Sequence, residues 1–146
     1  MKTLVAIVFF ALTLLPAIAS ADEAERYEWN HSLIVTADIN RTGIADSAQL
    51  GISSDSVGLL LTVDSKPLPI IDIPIDGSKQ FGICPGSAPS ISVVPQSDAP
   101  LNALGETPRG YEICQDCVEI EVGGGECDSI HFYWDTTANE LAWWRA

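Results

Sequence analysis

The feature that most restricts the fold of this chain is the absence of helical periodicity after residue 21. No window there places apolar residues at i, i+3, i+4 and i+7 over three turns, which is the spacing of an amphipathic helix. Short runs rich in β-branched and aromatic residues recur instead at intervals of roughly 8–12 residues. The pattern predicts an all-β domain, a compact multi-stranded sheet structure of propeller-like or sandwich type. Nine strands are predicted, over residues 27–36, 48–52, 57–63, 68–75, 90–94, 110–113, 118–122, 129–134 and 140–144.

The first 21 residues have the layout of a secretory signal peptide. Lys2 supplies a positive charge, residues 4–15 form an apolar stretch, and residues 19–21 (Ala-Ser-Ala) are a small-residue cleavage site. The apolar stretch is too short to span a bilayer comfortably. Cleavage would leave residues 22–146 as one all-β domain of a length that suits a single core. We expect this domain to be exported, without a membrane anchor.

Acidic residues strongly outnumber basic ones. All 20 Asp and Glu residues lie after residue 21, against six of the seven Lys and Arg residues, which leaves a net charge near −14 on the exported part. Such a charge argues against nucleic acid and anionic membranes as partners. It favours a cationic partner that associates rapidly and in a salt-sensitive way. The alternative interpretation is that the charge only keeps the domain soluble.

Four cysteines lie in the exported part, at Cys84, Cys114, Cys117 and Cys127. An even number in an oxidising compartment predicts two disulfides, and the sequence leaves all three pairings open. Cys114 and Cys117 also have the spacing of zinc ligands, so a four-cysteine zinc site is an alternative. A thioredoxin-like redox role is less favoured, because no strand-to-helix pattern surrounds the pair and because Asp116 would raise the thiol pKa.

Residues 38–46 carry oxygen-bearing side chains at the spacing of an EF-hand-like calcium loop. Loop positions 1, 3, 5 and 9 are polar, and position 6 is Gly43, which can take the positive φ that turns a chain around an ion. Four side chains and one backbone carbonyl are the expected ligands: Asp38, Asn40, Thr42, Asp46 and the carbonyl of Ile44.

Three residues distinguish this loop from a strong calcium site. Thr42 stands where Asp or Asn is usual, and Gln49 stands at position 12 in place of the bidentate Glu of an EF-hand. Arg41 adds a positive charge next to the site. Asp, Asn and Gly are also common residues of tight turns. The sequence therefore leaves two interpretations, a weakly bound structural calcium ion or an Asx-turn loop that has this shape without a metal.

The sequence holds no arrangement typical of a hydrolase or transferase. There is no G-x-S-x-G nucleophile elbow and no H-E-x-x-H zinc motif. His31 and His131 are each isolated in a predicted strand, where a lone histidine is more often packed or on the surface than a base. Glu119 and Glu121 would share one strand face, but such pairs arise by chance in a chain this acidic. We therefore predict binding without catalysis.

The aromatic residues near the C-terminus fall on both faces of their predicted strands. Phe132 and Trp134 share one face, whereas Trp143 and Trp144 point to opposite faces, so one of these two is expected to be exposed. Core packing explains most of such a cluster. An exposed tryptophan beside acidic loops is also a suitable binding anchor, and we name Trp144 for that role.

Two stretches of the sequence resemble known families. Residues 38–46, with residues 48–50 (Ala-Gln-Leu) after them, are similar to the D-x-N-x-D-G-x-x-D loop of FG-GAP-type repeats, which joins two propeller strands and usually holds calcium. Residues 130–135 and 141–144 resemble the closing hairpin of small exported bacterial proteins with one such loop. Among these are periplasmic inhibitors of invertebrate-type lysozyme and immunity proteins against peptidoglycan-hydrolase toxins. The resemblance covers about a fifth of the exported chain.

This resemblance, together with the charge, implies an inhibitor or immunity protein that binds a cationic peptidoglycan hydrolase and blocks its cleft with a disulfide-held loop. The candidate loops are residues 85–90 and 102–110, and the expected partner-binding residues are Gly86, Ser87, Ser90, Arg109 and Trp144. Two other functions stay open. A calcium-dependent carbohydrate-binding or cell-wall-binding adhesion module predicts retention on peptidoglycan without an enzyme. A small hydrolase with an unrecognised site predicts turnover that depends on one carboxylate.

Overall fold

A computed structural model describes residues 21–76, 81–96, 100–101 and 105–145. Most of these residues lie in β-strands, and the one helix in this part of the chain, α1, spans only Ala21–Glu25. The prediction of an all-β fold is confirmed, whereas the predicted signal peptide lies outside the described residues except for Ala21. The strands are β1 (Glu28–Ala37), β2 (Asp46–Ile52), β3 (Ser56–Val63), β4 (Lys66–Pro67), β5 (Ile71–Asp76), β6 (Phe81–Gly82), β7 (Ser90–Pro95), β8 (Val118–Gly123), β9 (Ile130–Asp135) and β10 (Glu140–Arg145).

The strands form two antiparallel sheets. The first sheet has the order β1-β2-β3-β5-β6, with β4 paired to the end of β3, and the second sheet has the order β10-β9-β8-β7. Neighbouring strands are mostly consecutive in the chain, as short connections favour. The two sheets contact each other where β1 lies beside β7 and where a single bridge pairs Ile83 with Gly124.

One hydrophobic core is shared by the two sheets. Burial alternates along β3, where Leu59 and Leu61 are buried while Leu60 and Thr62 are only half-buried, as the two-residue period of a strand requires. Burial of one such leucine contributes about 1.5–3 kcal/mol to the stability of the fold. The core is completed from both sheets by Ala48, Leu50, Val57, Ile73, Ile120, Val122, Ile130 and Phe132.

Two aromatic side chains cover the outer face of the first sheet, and two glycines leave room for them. A β-carbon at Gly58 would lie 2.9 Å from the Tyr27 ring, and a β-carbon at Gly51 would lie 2.7 Å from the β-carbon of Tyr27 and 2.8 Å from the Trp29 ring. The Tyr27 and Trp29 rings contact each other, with centroids 5.6 Å apart. Any larger residue at Gly51 or Gly58 would displace this cover.

One predicted strand is wrong. Residues 110–113 form a turn and irregular backbone, with Gly110 at a φ of 69°. Tyr111 packs edge-on against Tyr133, with ring centroids 5.1 Å apart, so an apolar residue that suggested a strand instead lies over the second sheet. The sequence analysis also missed β4 and β6, because alternation cannot be recognised over two residues.

The loops and turns relevant to function lie at two opposite ends of the strands. This follows from the antiparallel pairing of β1 with β2 and of β7 with β8. We call one end the loop end, which comprises the β1–β2 loop (residues 38–45), the β3–β4 turn (Asp64 and Ser65) and residues 112–117, which precede β8. We call the other end the stapled end, which comprises residues 83–89 and the β8–β9 turn (residues 124–129), joined by the Cys84–Cys127 disulfide.

Candidate functional site

The β1–β2 loop is folded around the side chain of Asp38. This carboxylate accepts hydrogen bonds from the backbone N–H of Thr42 at 2.9 Å and of Gly43 at 2.8 Å. The side-chain oxygen of Asn40 accepts a further bond from the Thr42 N–H at 3.3 Å, which is the pattern of an Asx-turn. Gly43 has a φ of 83°, a conformation that suits glycine at loop position 6.

Asp46, at loop position 9, is turned into the protein. It is 4% exposed, and its two carboxylate oxygens accept backbone N–H bonds from Ile39 at 3.0 Å and from Asp64 at 2.9 Å. Hydrogen bonds to a buried carboxylate are short and strong. Asp46 therefore ties the beginning of β2 to both the β1–β2 loop and the β3–β4 turn.

Asp64 belongs to this cluster, although the sequence analysis did not identify it. Its carboxylate accepts hydrogen bonds from the Asn40 amide at 2.8 Å and from the Thr42 hydroxyl at 2.8 Å. Asp64 and Ser65 both have positive φ, and a two-residue turn of this kind is recognised from sequence mainly by Asn-Gly or Asp-Gly. The only available signal was the pairing of β2 with β3, which brings this turn beside residues 38–46.

The loop offers hard oxygen donors of the kind that calcium prefers. Asp38, Asn40, Thr42 and Asp64 bring carboxylate, amide and hydroxyl oxygens together. Asp46 differs from a position-9 ligand in its burial, because it is 4% exposed and turned into the protein, whereas Asp38 is only half-buried. Within the described residues, no three His, Cys, Asp or Glu side chains are arranged as a metal site. The donor chemistry therefore suits calcium, while the arrangement is that of a loop closed by its own hydrogen bonds.

A second segment of the loop end lies next to the β1–β2 loop and is closed by the Cys114–Cys117 disulfide, with α-carbons 5.1 Å apart. Arg41 connects the two segments, because its guanidinium contacts the Glu112 carboxylate at 2.7 Å. Two isoleucines at this end, Ile44 and Ile113, are 51% and 56% exposed. A cleft of about 680 Å3 separates the segments and is lined by Ala37, Asp38, Arg41, Gly43, Cys114, Gln115, Asp116 and Val118.

The disulfides use all four cysteines in one of the three open pairings, Cys84 with Cys127 and Cys114 with Cys117. The prediction of two disulfides is confirmed. This pairing uses the thiols that a four-cysteine zinc site would require.

The predicted contact loop between Cys84 and β7 lies at the stapled end. Gly86 is exposed and has a φ of 79°. The Ser87 N–H donates to the Cys84 carbonyl at 3.1 Å, and the Ser90 hydroxyl donates to the Gly123 carbonyl at 3.0 Å. Both serines are therefore hydrogen-bonded to backbone, and Gly86 forms the exposed turn of the loop.

Arg109, in the second predicted contact loop, lies over the second sheet. Its Nε contacts the Asp135 carboxylate at 3.2 Å, its Nη2 contacts Glu140 at 3.0 Å, and its carbonyl accepts the Tyr133 hydroxyl at 2.6 Å. The side chain is nevertheless 76% exposed. Residues 102–104 of this loop lie outside the described part of the chain. Arg109 thus fixes the described end of the loop to β9 and β10 while its guanidinium faces solvent.

The buried carboxylate beneath Arg109 organises the β9–β10 turn. Asp135 accepts the backbone N–H of Ala138 at 3.0 Å and of Thr137 at 2.9 Å. These bonds and the Arg109 guanidinium lower the pKa of Asp135, although its burial acts in the opposite direction. The carboxylate therefore stays ionised in the folded protein at neutral pH.

Trp144, the predicted anchor, is half-buried against the outer face of the second sheet. Its ring stacks on His131 with centroids 4.0 Å apart, and its indole N–H donates to Glu119 at 3.0 Å. Nδ1 of His131 lies 2.9 Å from the other oxygen of Glu119. Glu121 shares this face, as predicted, but it accepts the Ser129 hydroxyl at 3.0 Å. Glu119, His131 and Trp144 form a packed cluster in which both oxygens of Glu119 are engaged.

Trp143 is the more exposed of the two tryptophans, at 57%, and lies at a groove between the two sheets. The groove has a volume of about 380 Å3 and is lined by Ile71, Asp72, Ile73, Ile130, Phe132, Leu141 and Trp143. Its one carboxylate, Asp72, accepts the Tyr27 hydroxyl and lies 3.6 Å from Arg26. The alternation of side chains indicated an exposed tryptophan, and the groove is the concave site that the sequence analysis missed.

No protein family model, curated protein or solved structure matches this chain. Within the described residues, no helix is long and apolar enough to cross a membrane. Function therefore has to be inferred from the charges, loops and grooves described above.

Proposed function

We propose that this chain is an exported bacterial inhibitor or immunity protein, periplasmic or secreted, that binds a cationic peptidoglycan hydrolase and blocks its cleft. The target would be a lysozyme-like enzyme or a secreted antibacterial effector, and the chain itself would have no catalytic role. Three observations support this: the acid excess, the two disulfides typical of exported proteins, and loops held at both ends of a two-sheet scaffold.

The observation that carries the proposal is that three arginines contact carboxylates of their own chain. They are half of the six basic residues after residue 21. The positive charge of these arginines is thus engaged within the molecule, and the acidic surplus remains available to a basic partner. The ion pairs are Arg26 with Asp55 at 3.1 Å, Arg41 with Glu112 at 2.7 Å, and Arg109 with Asp135 at 3.2 Å and with Glu140 at 3.0 Å.

The mechanism would be electrostatic steering followed by occlusion. A large net negative charge increases the rate at which a basic enzyme is encountered, and salt weakens this effect. A loop that is already held in one conformation loses little entropy when it enters a cleft. Gly86 and Arg109 are exposed, and they are the proposed contact residues that would reach the partner directly. Ser87, Ser90 and Trp144 would act by holding the contact surface in shape.

A structural calcium ion at the β1–β2 loop is part of this proposal, supported by the resemblance to FG-GAP-type loops and by the oxygen donors present. Asp38, Asn40, Thr42 and the carbonyl of Ile44 would hold the ion. Asp46 would hold the loop from its buried side. A bound ion would offset the repulsion among the clustered oxygens and stiffen the loop end.

Calcium binding predicts that Asp38→Ala lowers thermal stability more in calcium than in chelator. An ion that binds only the folded state stabilises it by about 2.7 kcal/mol at a concentration of 100 Kd, and the variant would lose that gain. Thermal unfolding of the wild-type chain and the variant, in millimolar calcium and in excess chelator, measures this difference in stability. Asp116→Ala, an exposed acid in the neighbouring segment, is the matched control. Equal losses for Asp38→Ala under both conditions would remove the metal from the proposal.

The inhibitor function is tested with purified residues 22–146 in a peptidoglycan-clearing assay. The enzymes are c-type, g-type and i-type lysozymes and any toxin hydrolase encoded beside the gene, each at low and high salt. We expect stoichiometric, salt-sensitive loss of clearing by one enzyme, and no loss with an unrelated protein of similar net charge. Sedimentation of the protein on cell-wall sacculi without inhibition of any enzyme would replace the proposal with a cell-wall-binding module. Turnover abolished by one carboxylate substitution would replace it with a hydrolase.

A further inference from the structure

The groove beside Trp143 is bounded by two strand edges. β10 is the terminal strand of the second sheet and pairs with β9 alone, while β5 pairs with β6 only through Ile75 and Asp76. In the described part of the chain, no strand pairs with the other side of β10 or with the corresponding side of residues 71–74. Strand edges of this kind present backbone N–H and C=O groups to which another chain can bind.

The groove opens directly onto the hydrophobic core. Ile73, Ile130 and Phe132 form its inner part and are at most 2% exposed, and Trp143 forms an exposed wall. Its volume of about 380 Å3 is in the range of concave binding sites. Tryptophan is among the residues that most often carry binding energy at protein interfaces. The site therefore combines an apolar cavity, an aromatic wall and two open strand edges.

The net negative charge of the chain indicates which kind of partner would bind at this site. A second copy of the exported chain would bring a second net charge near −14 against the first, and the repulsion opposes such a pairing. A basic protein is attracted by the same field. Asp72 at the groove is paired with Arg26 at 3.6 Å, so the attraction comes from the net charge of the chain and not from this one carboxylate. An extended segment with alternating apolar and basic side chains would suit this site. Its apolar side chains would enter the groove, its backbone would pair with the strand edge, and its basic side chains would be attracted by the acidic chain.

We propose that an extended segment of the basic partner adds as a strand to the edge of β10 and inserts an apolar side chain beside Trp143. The inference rests on the proposed function, because the partner is the same cationic hydrolase, and it specifies the surface through which that enzyme is held. Backbone hydrogen bonds to β10 supply affinity, and the groove selects the alternate side chains of the added strand.

The test compares Trp143→Ala with Ile113→Ala, which removes a side chain of similar exposure at the loop end. Calorimetric titration against c-type, g-type and i-type lysozymes and any toxin hydrolase encoded beside the gene gives the dissociation constants, and circular dichroism verifies that each variant folds. We expect Trp143→Ala to weaken binding by about tenfold or more, and Ile113→Ala to change it by less than about twofold. Trp143→Phe should retain most of the affinity. In the complex, the backbone amides of residues 140–145 should become protected from hydrogen exchange.

The outcomes separate this inference from the proposed function. If the wild-type chain binds an enzyme while Trp143→Ala binds equally well and β10 gains no protection, the groove is not the contact surface and the inhibitor function stands. If no enzyme binds the wild-type chain, both are overturned. If Trp143→Ala loses only retention on enzyme-free sacculi, the occupant is a glycan and the strand-addition proposal is overturned.

Discussion

The two ends of this molecule are held together by different kinds of bond. At the stapled end, the Cys84–Cys127 disulfide joins segments 43 residues apart. Backbone hydrogen bonds reinforce it, from the Gly82 N–H to the Asp128 carbonyl at 2.8 Å and from the Cys84 N–H to the Gly124 carbonyl at 2.9 Å. Covalent and backbone bonds thus hold this end, and neither depends on charge.

At the loop end, carboxylates hold the β1–β2 loop and the β3–β4 turn. Asp38 and Asp46 each accept two backbone N–H bonds, and Asp64 accepts bonds from two side chains. The disulfide at this end, Cys114–Cys117, spans only three positions in sequence and shapes one local turn. The difference indicates that the loop end depends on carboxylate side chains, whereas the stapled end depends on a long-range cross-link.

The largest expected effect is the loss of the long-range disulfide. Replacing both Cys84 and Cys127 with serine should lower the free energy of unfolding by about 4 kcal/mol, because the unfolded chain regains the freedom of a long loop. The matched replacement of Cys114 and Cys117 should cost about 2 kcal/mol. Urea denaturation of both double variants measures the two losses. Equal losses, or a larger loss for the second pair, would contradict the distinction between the ends.

The next largest effect is expected at Asp46. Asp46→Asn replaces one carboxylate oxygen with an amide that cannot accept a hydrogen bond, so one of two buried backbone N–H groups loses its partner. This should lower the free energy of unfolding by about 1–3 kcal/mol. Asp116→Asn, in the same end but exposed, should change it by less than about 0.5 kcal/mol. Urea denaturation of the two variants distinguishes them, and similar values would indicate that Asp46 does not hold the loop.

Most strands could be predicted because β-branched, aromatic and other apolar residues cluster locally in the sequence. Residues 57–63 form a mostly apolar run, and the structure buries most of β3. The prediction over residues 110–113 was wrong because Tyr111 is half-buried by the contact of its ring with Tyr133 of β9, and its own backbone pairs with no strand. The disulfide pairing could not be predicted, since it depends on the contact that brings the segment after β6 to the β8–β9 turn.

In the candidate site, too, some features follow from the local sequence and others depend on contacts between distant segments. Alternation correctly placed Trp143 and Trp144 on opposite faces of β10. Which face is covered depends on distant elements, because His131 and Tyr111 pack against Trp144 while the groove beside β5 leaves Trp143 exposed. Asp64 was missed for a related reason, since only the pairing of β2 with β3 brings it to the loop end.

Acid should weaken the β9–β10 turn (residues 136–139) through Asp135. Its pKa is lowered in the folded protein, first by the backbone N–H of Ala138 and further by Thr137 and Arg109. A carboxyl whose pKa is lower when folded contributes stability at pH values above its unfolded pKa of about 3.9, and this contribution is lost as pH falls through the folded value. Stability should therefore decline below about pH 4, and Asp135→Asn should flatten that decline.

The pH dependence is measured by urea denaturation between pH 2 and pH 7. Glu126 is an exposed acid in the turn at the stapled end, and Glu126→Gln should leave the loss of stability at low pH unchanged. An Asp135→Asn curve parallel to the wild-type curve would contradict the assignment of this acid sensitivity to Asp135.

The smallest effect is expected for the ion pair that links the two segments of the loop end. Arg41 and Glu112 are 2.7 Å apart, but their side chains are 35% and 46% exposed, and exposed ion pairs contribute only about 0–1 kcal/mol. Arg41→Gln should therefore destabilise the fold by less than about 1 kcal/mol, and high salt should remove most of the difference. Lys66→Gln, an exposed charge in β4, is the matched control. A loss at Arg41 that exceeds the loss at Asp46, or that persists at high salt, would mean that the two segments are held by this pair and not by the carboxylate-to-backbone bonds.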